Sequence, residues 1–132
     1  MLVDVRRALG RRRLVDITTA GRRTGRPRRI EIVAHTIDGR IYLSGRPGPR
    51  DWYANLLARP ALTLHLKVGA QVDVPARARP ITDLDERRRI LEQIARGWGM
   101  DPRIMVARSP LVEVILDEPE SPRGAGPRPL AN

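Results

Sequence analysis

The chain has 132 residues, no cysteine and a formal net charge of +10, and Lys67 is its only lysine. That length suits one domain with its own core, and the lack of cysteine excludes disulfides and thiolate metal sites. No apolar run approaches the roughly 20 residues of a membrane span, and no secretory signal is apparent, so we predict a cytoplasmic protein. The charge favours a polyanionic partner: nucleic acid, anionic lipid or a phosphorylated cofactor.

Residues 1–12 have the pattern of a short basic amphipathic helix. Leu2 and Leu9 bound its apolar positions, and arginines lie at its end and just beyond. A helix of this kind either caps a barrel or, through residues 1–13, lies on the inner surface of an anionic membrane. We favour the cap.

Three strands are predicted next. Leu14–Thr19 is rich in β-branched residues, Arg29–His35 alternates, and Arg40–Ser44 follows the hairpin signal Asp38-Gly39.

The turn between the first two strands, residues 21–29, combines two glycines with five arginines, and we call it the arginine turn. Glycine allows the backbone to approach a ligand closely. The planar guanidinium group matches phosphate or carboxylate oxygens two at a time. The turn is therefore a candidate clamp for a polyanionic tail, and the alternative is a solvated basic hairpin.

The second half of the chain predicts two helices and three strands. Their positions are a helix at Trp52–Ala58 with Asp51 as its N-cap, a strand over residues 62–67, a strand at Gln71–Arg79 with Pro75 at an edge or bulge, a helix from Thr82 to about Trp98, and a strand at Leu111–Leu116. Residues 118–132 predict a disordered tail rich in proline, glycine and charge, which leaves a single domain over residues 1–117. Six short strands with two or three helices predict a small, mainly antiparallel barrel of the α+β class.

The sequence contains no clear catalytic constellation. His35 and His65 lie on separate strands without a carboxylate at metal-ligand spacing, so we predict no metal site and treat both as ordinary strand residues. Neither Ser44 nor Ser109 has an evident base or a nucleophile-elbow pattern, and Ser44 is the one weak catalytic candidate. If the protein is an enzyme, its reactivity comes from a cofactor.

Two motifs in register resemble a known family. Residues 18–28 read Thr-Thr-Ala-Gly-Arg-Arg-Thr-Gly-Arg-Pro-Arg, and residues 51–60 read Asp-Trp-Tyr-Ala-Asn-Leu-Leu-Ala-Arg-Pro. They resemble the T-T-x-G-R-[KR]-[ST]-G-x-P-R signature and the W-Y-x-N-L-x-A-N-P element of the deazaflavin-dependent nitroreductase family. The resemblance extends over residues 14 to about 117.

This resemblance implies a split β-barrel of the pyridoxamine-phosphate-oxidase-like kind. It also implies the cofactor coenzyme F-420, an 8-hydroxy-5-deazaflavin that ends in a phosphodiester and a polyglutamate. The residues it assigns to the cofactor are Arg22, Arg23, Thr24, Gly25, Arg28, Ser44, Gly45, Arg46 and Trp52. The first five would lie at the phosphate end, the next three in the loop after the third strand, and the tryptophan beside the ring system or in the core. Asn55 would fix the short helix.

The resemblance implies an oxidoreductase that passes a hydride from reduced coenzyme F-420 to a small electron-poor acceptor, such as a quinone, an enone or a nitro compound. The alternatives are a split barrel that binds FMN, FAD or another cofactor, and a non-enzymatic basic module. The scarcity of aromatic residues argues against a base-stacking platform for single-stranded nucleic acid, and we do not expect nucleic acid as a partner. Analogy with split barrels suggests a homodimer.

The sequence departs from the family where the acceptor would bind. Members carry pocket-lining tyrosines after the long helix, whereas residues 97–105 contain none. Trp98, Met100 and Met105 are the alternative candidates for an apolar pocket, so the sequence leaves the acceptor and the direction of hydride transfer open.

Overall fold

A computed structural model describes residues 4–68 and 70–117 of the chain. The predicted tail at 118–132, the first three residues of the N-terminal helix and the turn residue Gly69 lie outside the described residues. The helices are α1 (Val5–Leu9), α2 (Asp51–Ala58), α3 (Leu84–Trp98) and α4 (Pro102–Arg108). The strands are β1 (Arg12–Ala20), β2 (Pro27–Ile37), β3 (Arg40–Ser44), β4 (Ala61–Val68), β5 (Ala70–Pro80) and β6 (Leu111–Leu116).

The six strands form a closed barrel in the order β1-β2-β3-β6-β5-β4. Every neighbouring pair is antiparallel, and β1 closes the barrel by pairing with β4. The predicted strand number and direction are confirmed. The predicted helix number was wrong, because the described residues contain a fourth helix, α4. Asp101 caps α4 by accepting a hydrogen bond from the Arg103 N–H, and Pro102 opens it.

Alternation along the strands builds the core inside the barrel. In β1, Val15, Ile17 and Thr19 are buried, whereas Asp16 and Thr18 are half-buried on the outer face. Val5 and Leu9 of α1 belong to the same buried cluster, so α1 covers the barrel and its apolar side chains are inside the protein. None of the helices in residues 4–68 and 70–117 is long and apolar enough to span a membrane.

A second core lies outside the barrel, between the strands β3 and β6 and the two C-terminal helices α3 and α4. Tyr42 and Leu111 from the strands pack there with Ile90, Leu91 and Met105 from the helices. Trp98 and Met100 pack against the same cluster. The three residues proposed from the sequence as an apolar pocket are therefore part of this second core, because α4 folds back over α3.

Pro75 lies within β5, which has a strand on each side in the barrel. β5 pairs with the whole of β4, but it pairs with β6 only from Ala76 onward. On the β6 side, Pro75 lies just beyond the last paired residue, where its carbonyl accepts from the Asp117 N–H at 3.1 Å and no strand residue needs the N–H that proline lacks. The prediction of an edge position holds locally, although the barrel is closed.

Candidate functional site

The arginine turn is closed by its own backbone. The Gly21 N–H donates to the Arg26 carbonyl at 2.8 Å, and the Gly25 N–H donates to the Gly21 carbonyl at 2.7 Å. The Thr24 hydroxyl accepts from the Arg26 N–H at 3.1 Å. Gly25 has a φ of +74°, which favours glycine. Because the turn stabilises itself, its arginine side chains are left to contact other groups.

Helix α2 fixes the turn through Asn55, which is only 4% exposed. The Asn55 Oδ1 accepts from both the backbone N–H and the Nη1 of Arg22 at 3.0 Å, and its Nδ2 donates to Thr19 Oγ1 at 3.2 Å. The sequence suggested that Asn55 fixes the short helix. The structure adds that it joins this helix to β1 and to the arginine turn.

Arg22 has a second partner in Asp51, whose Oδ1 lies 3.4 Å from the Arg22 Nη2. The sequence predicted Asp51 as the N-cap of α2, and this was wrong. Arg50 occupies the N-cap without a side-chain bond, and Asp51 is the first helical residue. The Asp51 carboxylate is therefore free to face Arg22.

A cavity of about 540 Å³ lies between the arginine turn and α2. The residues that line it are Thr19, Gly21, Arg22, Arg23, Thr24, Arg28, Arg29, Ile30, Asp51, Trp52 and Asn55. Five of the nine predicted cofactor residues are among them. Gly25 is not, and its role is to allow the turn. Thr19 and Asp51 also line the cavity, although neither was predicted to bind the cofactor. Their positions depend on how α2 packs against β1, which no local motif indicates.

The arginines of this cavity differ in what already holds them. Arg22 is bound by Asn55 and Asp51, and Arg29 donates to Asp16 at 2.9 Å and to Gln71 at 2.8 Å. Within residues 4–68 and 70–117, the side chains of Arg23 and Arg28 have no hydrogen-bond acceptor or carboxylate partner. The backbone N–H groups of Arg23 and Thr24 also lack an acceptor there. These groups are available to an anion.

The other three predicted cofactor residues lie away from this cavity. Ser44 is buried, and its hydroxyl donates to the Pro110 carbonyl at 2.7 Å, so its one proton is engaged and its position argues against a catalytic role. Gly45 and Arg46 begin the loop that leads to α2. The Gly48 N–H ties this loop to the Arg108 carbonyl at the end of α4.

A second cavity, of about 550 Å³, lies on the other side of this loop. It is lined by Gly48, Pro49, Tyr53, Arg87, Ala107, Arg108, Ser109 and Pro110. The Ser109 Oγ is buried and has no hydrogen-bond partner among the described residues. Ser44 contributes indirectly by holding Pro110. No local sequence signal marks this cavity, because its residues come from three separate segments.

The first turn of α2 stands between the two cavities. Trp52 lines the first and Tyr53 the second, and their rings meet edge to face with centroids 6.0 Å apart. Trp52 is 7% exposed and belongs to the barrel core, so the expected core role is observed, and contact with the cofactor ring stays a prediction. The arrangement places an arginine-rich cavity and a second cavity, one of whose wall residues has a buried hydroxyl, on either side of one aromatic pair.

The two histidines have different surroundings. His65 is buried on the outer face of the barrel, where its Nε2 lies 2.7 Å from Thr18 Oγ1 and its Nδ1 lies 2.7 Å from Asp73 Oδ1. The hydrogen bond from His65 lowers the pKa of Asp73. His35 instead packs under α3, beside Trp98. The part of the chain that the structure describes contains no group of three or more histidine, cysteine or acidic residues placed to hold a metal ion.

The family model of the F420H(2)-dependent quinone reductases matches residues 4–116. The fold is similar to solved structures of low sequence identity. The heme storage protein HutZ from Vibrio cholerae has a TM-score of 0.67 and 11% identity, over 87% of this chain and 89% of that one. A pyridoxamine 5'-phosphate oxidase-like protein from Listeria innocua has a TM-score of 0.66 and 12% identity, over 86% and 91%.

A third similar structure is named as an F420 reductase, with a TM-score of 0.59 and 14% identity over 86% of this chain and 93% of that one. A search of curated proteins finds no match. At these identities the structural similarity shows the fold alone, and it confirms the predicted split β-barrel.

Proposed function

The chain belongs to the F420H(2)-dependent quinone reductase family, and we propose that it transfers a hydride from reduced coenzyme F-420 to a quinone, an enone or a nitro compound. Membership of this family makes the protein an oxidoreductase that depends on the deazaflavin. The acceptor, and the residues that hold each reactant, are the proposed part.

The observation that carries the proposal is the unpaired donor set of the first cavity. The tail of coenzyme F-420 bears a phosphodiester and several carboxylates. Arg23 and Arg28 offer two guanidinium forks without a protein partner, and the turn adds two free N–H groups. Charge-assisted hydrogen bonds to such oxygens are among the strongest that proteins make. The residues present therefore fit this cofactor.

The remaining residues of the cavity support binding by fixing the donors in advance. Asn55 holds the Arg22 backbone and side chain, so the turn keeps its shape without a ligand. A preformed site loses less conformational entropy on binding than a mobile one. We assign Arg22 and Asn55 to positioning and Arg23 and Arg28 to direct contact with the tail.

We place the acceptor in the second cavity. Coenzyme F-420, when bound, would supply the hydride, and direct transfer requires the two reactants to meet beside Trp52 and Tyr53, the adjacent residues that line the two cavities. Tyr53 and the flanking prolines offer an apolar surface for a flat electron-poor molecule. The Ser109 hydroxyl is unpartnered, and a rotation about χ1 towards the cavity would let it donate to an acceptor oxygen on which negative charge develops. A buried donor aimed at such an oxygen stabilises the transition state more than a solvated one does.

Binding is tested by titrating the purified protein with oxidised coenzyme F-420 and, separately, with FMN, followed by tryptophan fluorescence. We expect the deazaflavin to bind at micromolar or lower concentration, and the Arg23→Gln/Arg28→Gln variant to bind at least tenfold more weakly. Arg7→Gln/Arg88→Gln removes the same charge from exposed positions outside the cavity and should change affinity less than twofold. Binding of FMN alone, or equal affinity in both variants, would refute the assignment.

Activity is tested by following oxidation of reduced coenzyme F-420 with a panel of quinones, enones and nitro compounds. We expect turnover above background with at least one class. Ser109→Ala should lower kcat while leaving the affinity for the deazaflavin unchanged. Binding without turnover across the whole panel would reject the acceptor classes and leave the cofactor site intact.

A further inference from the structure

A third cavity, of about 480 Å³, lies at the opposite end of the β1–β2 hairpin from the arginine turn. It is formed where β1 begins, where β2 ends and where the last turns of α3 cross them, and Arg12, His35, Gln93 and Gly97 contribute to its wall. The nine residues of β1 rise about 3.3 Å each, so this cavity is separated from the arginine turn by roughly 26 Å. It belongs to neither of the sites described above.

The cavity contains a cation without a partner. Arg12 stands directly opposite His35 in the strand register, so both side chains share the hairpin face that α3 covers. Among the described residues, the Arg12 guanidinium has no hydrogen-bond acceptor and no carboxylate within 4.0 Å. It approaches the helix so closely that a Cβ on Gly97 would lie 3.0 Å from Arg12 Nη1.

One residue of the cavity wall, His35, also carries a buried ring nitrogen without a hydrogen-bond partner. His35 is only 6% exposed, and its Nε2 has no hydrogen-bond partner in residues 4–68 and 70–117. Such an atom costs free energy when it stays unsatisfied. The Thr36 Oγ1 is likewise buried and unpartnered, and Thr36 also lines the cavity, although its side chain lies on the opposite face of the strand from His35.

The other charged residues of the wall determine whether the cavity favours an anion or a cation. Arg11 lies beside Arg12 on the wall, and the one carboxylate there, that of Asp38, lies 3.7 Å from the guanidinium of Arg89 on α3. Burial, reinforced by the charge of Arg12, lowers the pKa of His35 to about 4, so the imidazole is neutral at pH 7 and can donate a hydrogen bond. The cavity thus offers positive charge and neutral donors.

We propose that this cavity, which we call the His35 cleft, is a second binding site, for a small oxyanion that carries a phosphate or a carboxylate group. Arg12 supplies the charge-assisted bonds, and Arg11 stands at its side. The neutral His35 ring is one uncharged donor of the cleft. The Gln93 Nε2 already donates to the Arg89 carbonyl at 3.3 Å and has one further N–H to offer. A side chain at Gly97 would press against the Arg12 guanidinium, with its Cβ 3.0 Å from Nη1, and would shift that flexible group from its present position.

The chain provides one reporter for each end of the hairpin, because it has two tryptophans. The Trp98 ring contacts His35 with centroids 5.4 Å apart, whereas Trp52 lines the cavity at the arginine turn. The test is a titration of the full chain with inorganic phosphate and, separately, with acetate, followed by the indole N–H signals in NMR. Sodium chloride at matched ionic strength serves as the reference.

We expect one of the two anions to move the Trp98 signal to saturation, and the one that does so identifies the group recognised. In Arg12→Gln the apparent affinity at Trp98 should fall about tenfold, while any shift of Trp52 is unchanged. Arg7→Gln removes the same charge from α1 and should leave both titrations as they are. No saturable movement of Trp98 with either anion, or equal affinity in Arg12→Gln and the unmodified chain, would overturn the proposal.

Discussion

The two ends of the β1–β2 hairpin are both rich in arginine, yet their polar groups are arranged in opposite ways. At the arginine turn, the buried polar group, Asn55, is fully engaged and holds Arg22 in place. At the His35 cleft, the buried polar group is His35, whose Nε2 has no hydrogen-bond partner among the described residues, and it lies opposite the unpaired Arg12.

The difference shows that the number of arginines does not define a binding surface. What matters is which donors the fold has already used. At the arginine turn the protein satisfies its own buried groups and leaves Arg23 and Arg28 projecting, so that end is preformed. At the His35 cleft a ligand would itself complete the hydrogen bonding, so binding there should be coupled to the state of His35.

The largest difference between the two ends should appear when each buried polar group is removed. Asn55→Leu deletes three hydrogen bonds and leaves the Thr19 hydroxyl and Arg22 N–H without their partner, so we expect the free energy of unfolding to fall by about 3 kcal/mol. His35→Leu removes an unsatisfied atom and should cost less than half as much. Denaturant unfolding measures both. A larger loss in His35→Leu than in Asn55→Leu would contradict the comparison.

The second prediction concerns pH and applies to the His35 end only. The pKa of His35 is lowered from 6.5 to about 4 in the folded protein, so the unfolded chain binds the proton first as pH falls. Stability is therefore complete above about pH 6.5 and is lost on descent towards pH 4. Between pH 7 and pH 5 this group should cost about 2 kcal/mol of unfolding free energy.

Denaturant unfolding at the two pH values, in the unmodified chain and in His35→Phe, isolates this contribution. The loss of unfolding free energy between pH 7 and pH 5 should be about 2 kcal/mol smaller in His35→Phe than in the unmodified chain. Asp16, Asp73 and Glu86 have lowered pKa values, so their contributions are lost at more acidic pH and cancel in the comparison. An identical loss in both proteins would show that His35 is not held neutral by the fold.

A glycine at each end gives a third, smaller contrast. Gly25 has a φ of +74°, so Gly25→Ala should destabilise the protein by about 1 kcal/mol. Gly97 lies in α3 with an ordinary helical backbone, so Gly97→Ala should be neutral or stabilising by up to about 0.5 kcal/mol. It should nevertheless weaken binding of the anion in the His35 cleft, as measured by the Trp98 signal, because the new Cβ would contact the Arg12 guanidinium. If Gly97→Ala lowered both the free energy of unfolding and the affinity for the anion, the loss of binding could not be attributed to the contact with Arg12.

The sequence predicted the parts of the fold and site that depend on neighbouring residues. The β-branched residues of β1, the alternation in β2 and the Asp38-Gly39 turn were sufficient for the first three barrel strands. The arginine turn is contiguous in sequence, so its donors could be named from one motif. The fourth helix was missed because α4 is short, and its one strong signal, the Asp101-Pro102 start, had been grouped with an expected pocket.

What the sequence did not predict depends on contacts between distant segments. Asn55 and Arg22 are 33 positions apart, and their bond exists only because α2 packs against β1. The second cavity joins residues 48–53 with Arg87 and with residues 107–110. His35 appears as an ordinary strand residue until α3 covers it. In each case a side chain acquires its role from tertiary packing, which composition and spacing do not contain.

The smallest predicted effect refines the distinction between donors that hold the turn and donors that hold the ligand. Asp51 lines the first cavity and faces Arg22 at 3.4 Å, but its side chain is 91% exposed. Asn55 keeps Arg22 in place without it, so Asp51→Asn should leave the turn intact and remove one negative charge from the wall. We expect the affinity for coenzyme F-420 to rise roughly twofold to threefold at low salt. The difference should vanish near 1 M salt, where the screening length is about 3 Å. Fluorescence titrations at both salt concentrations measure it, and a loss of affinity in Asp51→Asn would mean that Asp51, rather than Asn55, positions Arg22.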